Sequence, residues 1–121
     1  MKKILIADDE TSLRILISGT LEIGDFEVIE ADNGIDAVKA VEQEKPDLAI
    51  LDVMMPGMTG YEVCKYIKSK EGLKNIKVLI LTAKGQQSDR DAAQDAAADY
   101  YISKPFSPNE LLSTVESILE V

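Results

Sequence analysis

Five short apolar runs, spread over the whole chain, most constrain its fold. They begin near residues 4, 26, 48, 77 and 100, and each is followed by a segment whose apolar residues have helical spacing. Strands that alternate with helices through short connections form a parallel sheet with helices on both faces. We therefore predict an α/β fold: a doubly wound, five-stranded parallel sheet in the order 2-1-3-4-5 with five helices, in one domain over residues 1–121.

Turn and capping residues place the ends of the predicted helices. Gly24 is expected to end the first helix, and Asn33 to cap the second, which ends before Pro46. Ser107 is expected to begin the fifth helix with a capping box. A fourth helix over residues 88–97 is rich in alanine but poor in large apolar side chains, so we expect it to dock weakly. The residues expected to face the core from the other helices are Leu13, Leu16, Ile17, Leu21, Ile35, Val38, Val41, Val63, Cys64, Ile67, Leu111, Leu112, Val115, Ile118 and Leu119.

Composition excludes several classes of function. The chain has 13 basic and 22 acidic residues, and the net charge of −9 repels nucleic acid and anionic membranes. The apolar run at residues 4–7 is too short for a signal peptide or a membrane-spanning helix. A single cysteine, Cys64, excludes an internal disulfide and fits a cytoplasmic location. The lack of histidine excludes histidine-based catalysis and histidine metal ligands.

Asp52 stands directly after the apolar run at residues 48–51. A run without alternation, followed by Pro56 and Gly57, is typical of a strand buried on both faces. Ligands of open α/β sheets bind outside the carboxyl ends of the strands, so Asp52 is expected at a binding site. A carboxylate in such a place needs a compensating partner.

Other polar residues follow neighbouring strands in the same way. Asp8 and Asp9 follow the first run, Thr82 follows the fourth, and Lys104 follows the last. Together with Asp52 they form a group of three carboxylates, which repel one another unless a cation is present. Mg²⁺ prefers such oxygen ligands, and a lysine with a hydroxyl suits an incoming phosphoryl group. A carboxylate can be the nucleophile in phosphoryl transfer.

Each residue alone has a plainer interpretation. An Asp8-Asp9 pair more often stabilises a helix start, Thr82 is typical of a turn, and Lys104 is typical of a solvated surface. Cys64 is best explained as a packed core thiol. Only the joint placement at four strand ends favours a site.

Four motifs carry a resemblance to a known family. They are Lys2-Lys-Ile-Leu-Ile-Ala-Asp-Asp-Glu10, Leu51-Asp52-Val-Met-Met-Pro-Gly57, Leu81-Thr-Ala-Lys84 and Tyr101-Ile-Ser-Lys-Pro-Phe106. Over the whole chain the sequence resembles the receiver domain of two-component response regulators, and its brevity resembles the stand-alone chemotaxis type. The resemblance implies a flavodoxin-like fold.

The resemblance also implies roles for the site residues. Asp52 would accept phosphate from a histidine kinase or phosphotransfer protein, with Mg²⁺ held by Asp9, Asp52 and the Met54 carbonyl. Asp8 would support the metal, largely through water. Thr82 and Lys104 would contact the phosphoryl oxygens.

Further implied roles concern the switch. Tyr101 would be the switch aromatic, working with Thr82, and the peptide bond between Lys104 and Pro105 would be cis. The chain departs from the family at Ala97-Ala98-Asp99-Tyr100, where Gly-Ala-Asp-Asp is common. The missing glycine affects how the fourth helix ends. Tyr100 places a second ring beside the switch residue.

We predict a phosphorylation-dependent signalling switch and not a metabolic enzyme. The chain would catalyse its own phosphorylation and, with bulky Met54 near Asp52, a slow self-dephosphorylation. A downstream protein would bind the fourth helix, last strand and fifth helix. One alternative is an aspartate-nucleophile phosphatase, whose two aspartates are separated by one residue, whereas Asp8 and Asp9 are adjacent. Another is a degenerate receiver that binds partners without phosphate, which the complete acidic site disfavours.

Overall fold

A computed structural model describes residues 1–83 and 97–121. Five parallel strands form one sheet in the order β2-β1-β3-β4-β5, which confirms the predicted order. The elements in chain order are β1 (Lys3–Ala7), α1 (Thr11–Ile23), β2 (Glu27–Ala31), α2 (Gly34–Glu44), β3 (Leu48–Asp52), α3 (Gly60–Ser69), β4 (Lys77–Ala83), β5 (Tyr100–Lys104) and α4 (Pro108–Leu119).

The helix predicted over residues 88–97 lies outside the described residues, except for Ala97. The helix predicted from Ser107 is α4. None of the described helices has both the length and the apolar character that crossing a membrane requires.

Two apolar clusters lie on opposite faces of the sheet. One joins β1 and β3 to α2 and α3 through residues such as Leu5, Val41 and Ile67. The other joins the sheet to α1 and α4 through residues such as Ile17 and Val115. Since β1, β3 and β4 are covered on both sides, their side chains are buried along nearly their whole length.

Two residues that were expected in the core are exposed. Leu16 in α1 is 49% exposed and Ile35 in α2 is 46% exposed. Leu16 lies at the margin of an apolar stripe whose centre, Ile17 and Leu21, contacts the sheet. Ile35 lies in the first turn of α2, where it faces Gly57 in the loop after β3.

The predicted helix ends are confirmed, although the capping interactions differ in part from those expected. The Asn33 side chain accepts the Asp36 N–H, and α2 ends before Pro46. Ser107 accepts the Glu110 N–H at 3.0 Å, which is one half of the predicted capping box. Gly24 does follow α1, but the left-handed residue there is Asp25, with φ of 66°.

Candidate functional site

Asp52 is the last residue of β3, at the carboxyl edge of the sheet. Its side chain is buried, and Lys104 Nζ lies 2.6 Å from Asp52 Oδ1. Lys104 ends β5, and β4 lies between β5 and β3, so the lysine reaches across the end of β4. The partner that a carboxylate in this place requires is therefore Lys104.

Asp8 and Asp9 follow β1, the strand on the other side of β3. Asp8 is fully buried and its Oδ1 accepts the Glu10 N–H at 2.8 Å. Asp8 Oδ2 is also buried and has no hydrogen-bond partner among the described residues. One carboxylate oxygen each from Asp8, Asp9 and Asp52 lies within 4.8 Å of the others. The three carboxylates that were predicted to share one edge of the sheet therefore do lie close together.

Burial raises the pKa of the Asp8 carboxyl above its ordinary value. The Glu10 N–H and Lys104 lower this pKa, while Asp52 and Asp9 raise it further. Among the described residues, the buried Asp8 Oδ2 has no donor and lies beside two more carboxylates, of which Asp52 pairs with Lys104. Such a group of oxygens suits a hard divalent cation. Because of this donor set, the residues at the site fit Mg²⁺.

Arg14 is a neighbour of the site that sequence reasoning missed. Its Nη1 donates to the Asp8 carbonyl oxygen at 2.8 Å, and its Nε donates to Glu30 Oε1 at 2.9 Å. These bonds tie α1 and β2 to the turn that carries the acidic pair. A lone arginine on the polar face of a helix gives no sequence signal for such a role.

Thr82 and Tyr101 lie on the two strands beyond β3. Thr82 is buried, and its hydroxyl donates to the Ile102 carbonyl at 3.4 Å, a long hydrogen bond between β4 and β5. Tyr101, the residue before Ile102, is 37% exposed. The Lys104–Pro105 peptide bond that follows is cis.

The loop after Asp52 is pressed against the start of α3. The Gly60 N–H donates to the Val53 carbonyl at 3.0 Å, and a Cβ on Gly60 would overlap the Asp52 carbonyl oxygen. A complete capping box between Thr59 and Glu62 fixes this end of the loop, and the Thr-x-x-Glu spacing was a signal for it. The Met54 side chain is 73% exposed.

The arrangement suits transfer of an anionic group to Asp52. The Asp52 carboxylate is held by a lysine, further carboxylates can bind a cation, and a hydroxyl lies on the next strand. These groups sit on strand ends, which positions them rigidly.

Comparison with known proteins identifies the family. The response regulator receiver domain family matches residues 4–116. The alkaline phosphatase synthesis transcriptional regulatory protein PhoP of Bacillus subtilis is 43% identical over 118 residues, which are 98% of this chain and 48% of PhoP. The phosphate regulon transcriptional regulatory protein PhoB of Pseudomonas aeruginosa is 40% identical, over 98% of this chain and 52% of PhoB. The chain thus spans about half the length of these curated relatives.

Solved structures agree. A putative response regulator from Chloroflexus aurantiacus superimposes with a TM-score of 0.94 at 34% identity, over 99% of this chain and 98% of its own. The receiver domain of a sensor histidine kinase from Pseudomonas aeruginosa, described with a magnesium ion in its active site cleft, gives 0.90 at 26% identity, over 99% and 98%. The chain therefore belongs to the response regulator receiver domain family of two-component signalling.

Proposed function

We propose that Asp52 is the phosphoacceptor of a phosphorylation-dependent switch. The observation that carries this proposal is the buried Asp52 carboxylate, 2.6 Å from Lys104 and beside Asp8 and Asp9. An Asp52 oxygen would attack the phosphorus of a phosphohistidine or a small acyl phosphate. The bond to the leaving group breaks, and the leaving group takes the electron pair. The chain itself supplies the groups that catalyse this transfer.

Lys104 and Thr82 would act on the phosphoryl oxygens. The Lys104 ammonium neutralises negative charge beside Asp52, and the Thr82 hydroxyl donates a hydrogen bond. Mg²⁺ would be held by Asp9, Asp52 and the Met54 carbonyl, with support from Asp8. When bound, it offsets the charge of the carboxylates and of the phosphoryl group. Asp8 Oδ2, which is buried and has no hydrogen-bond partner in the described part of the chain, supports this assignment.

The switch would run through Thr82 and Tyr101. Thr82 now bonds the Ile102 carbonyl, and a phosphoryl oxygen on Asp52 would compete for its hydroxyl. Tyr101 would then turn inward from its half-exposed position. This change would reshape the surface of β5 and α4, where a downstream protein partner would bind. The helix predicted over residues 88–97, which was expected to share that surface, lies outside the described residues except for Ala97.

The partners of this domain would be proteins. Receiver domains interact with histidine kinases, so a kinase or a phosphotransfer protein would supply the phosphate. The transcriptional role in the relatives' names belongs to proteins about twice as long. The net charge of −9 supports a domain that does not itself bind nucleic acid or membrane.

A cytoplasmic location is part of the same proposal, supported by a single buried cysteine, Cys64. Met54 near Asp52 supports slow self-dephosphorylation.

Intact mass after incubation with acetyl phosphate and Mg²⁺ tests the proposal. We expect one phosphoryl group on the wild-type chain and none on Asp52→Asn, which keeps the shape but loses the nucleophile. Asp25→Asn, far along the chain from the acidic group, is the matched control and should be labelled in full. Labelling of Asp52→Asn to the wild-type level would overturn the assignment.

A further inference from the structure

The start of α2 touches the loop that follows Asp52. The Gly34 N–H donates to the Pro56 carbonyl at 3.0 Å, and the Met58 N–H donates to the same oxygen at 3.0 Å. A methyl group on Gly34 would overlap the Met58 carbonyl oxygen and lie 2.5 Å from the Met58 Cβ. Only the hydrogen of a glycine fits between α2 and this loop.

The start of α2 is anchored by packing and by its cap. Ala37 and Val41 of α2 are fully buried in the cluster between the helix and the sheet. The Asn33 side chain caps the first turn by accepting the Asp36 N–H at 2.8 Å. Since a packed interior resists displacement, we expect the loop to move rather than the helix.

The far end of the loop is fixed as well. The Gly60 N–H donates to the Val53 carbonyl, and Gly60 packs directly on the Asp52 carbonyl group. We therefore expect a displacement of Met58 to be passed on to the residues between Val53 and Met58. Met54 lies within this stretch, directly after Val53 and four residues before Met58.

We propose that Gly34 is a positioning residue for the cation site. It touches neither cation nor phosphate, but its lack of a side chain sets where the loop holds the Met54 carbonyl beside Asp52. This inference rests on the proposed function, in which that carbonyl is a ligand. It adds the first residue of α2 to the groups that determine metal affinity.

Titration of the apo chain with MgCl₂, by calorimetry and by amide NMR, tests the inference. Gly34→Ala keeps every proposed ligand, yet we expect it to bind Mg²⁺ about tenfold more weakly, as for loss of an outer-shell support. Gly19→Ala is the matched control, because a Cβ there meets nothing within 4 Å, and it should bind as wild type does. An unchanged affinity of folded Gly34→Ala would overturn the inference, even if its stability falls.

The wild-type chain provides a second test that needs no variant to fold. The Gly34 amide should shift with MgCl₂ along the same binding curve as the amides of residues 53–55, while the Gly19 amide stays still. A silent Gly34 amide would overturn the inference alone. A wild-type chain that binds no Mg²⁺ would overturn the proposed function, and this inference with it.

Discussion

The charged side chains at the two edges of the sheet differ in how they are paired and buried. At the amino edge, the Lys3 N–H donates to Asp47 Oδ2 at 2.8 Å, and Lys3 Nζ lies 3.0 Å from Glu44 and 3.8 Å from Glu27. These groups are partly exposed and each carboxylate has a cationic or N–H partner. At the carboxyl edge, three carboxylates lie together. Among the described residues, Lys104 pairs with one of them, and a buried Asp8 oxygen has no hydrogen-bond partner.

The difference separates an edge whose acidic groups are paired from one whose acidic groups are crowded together and partly unpaired among the described residues. A charge arrangement that folding alone would not favour marks a functional site. Lys3 and Lys104 both lie among carboxylates, but those beside Lys104 come within 4.8 Å of one another and include a buried Asp8 oxygen without a partner among the described residues. The following experiments break or sharpen this comparison.

The largest expected effect separates the two lysines. Lys104→Met should slow phosphorylation of Asp52 by acetyl phosphate about 100-fold, because it removes a charge that stabilises the developing phosphoryl oxyanion. Lys3→Met changes the amino edge and should leave the rate unchanged. Intact mass followed over time measures both rates. Equal rates for the two variants would contradict the assigned role of Lys104.

A smaller effect concerns the pH dependence of stability. Because the pKa of Asp8 is raised in the folded chain, folding binds protons, and Asp8 lowers stability as pH rises from the ordinary value of 3.8 through the raised pKa. In EDTA, which keeps the site free of metal, the free energy of unfolding of Asp8→Asn should therefore rise relative to that of wild type as pH rises through this window. Above it the variant should be more stable by about 1 kcal/mol, since it lacks the charge that burial and the neighbouring carboxylates disfavour.

Ser18→Ala is the control for Asp8→Asn. Ser18 Oγ is buried without a hydrogen-bond partner among the described residues, but it carries no charge. Its removal should also raise the free energy of unfolding by about 1 kcal/mol, with no dependence on pH. Urea unfolding at several pH values measures both. A stability difference for Asp8→Asn that does not change with pH would show that its charge is not the cause.

The smallest expected effect asks whether backbone strain enters at the amino edge. Ala97, where the family often has glycine, has φ of 65° shortly before β5 begins. Ala97→Gly should raise the free energy of unfolding by about 0.5–1 kcal/mol, because glycine adopts this conformation without strain. Asp25→Gly, at φ of 66°, should gain less, since aspartate tolerates it better than alanine. If Ala97→Gly leaves the free energy of unfolding unchanged or lowers it, the backbone at Ala97 is not strained.

The comparison also shows what the sequence could predict. The strand ends were predictable from apolar runs that stop at polar residues, so Asp52, Thr82 and Lys104 could be placed at one edge of the sheet. The partnerless oxygen of Asp8, the Arg14 hydrogen bonds and the contact of Gly34 depend on tertiary distances. Local pattern carries no information on them.

The two wrong core predictions, Leu16 and Ile35, also arose because local pattern does not give tertiary contacts. Helical spacing gives the width of an apolar stripe but not which part of it meets the sheet. Leu16 therefore lies at an exposed margin. Ile35 faces a loop that the spacing could not place.

Stability against Mg²⁺ concentration tests the central claim most directly. The account predicts that the wild-type free energy of unfolding rises by about 1.4 kcal/mol per tenfold increase in Mg²⁺ above the dissociation constant, at constant ionic strength. Asp9→Asn should flatten this rise, while Asp47→Asn at the amino edge should preserve it. A wild-type curve no steeper than that of Asp9→Asn would contradict a cation site at the carboxyl edge.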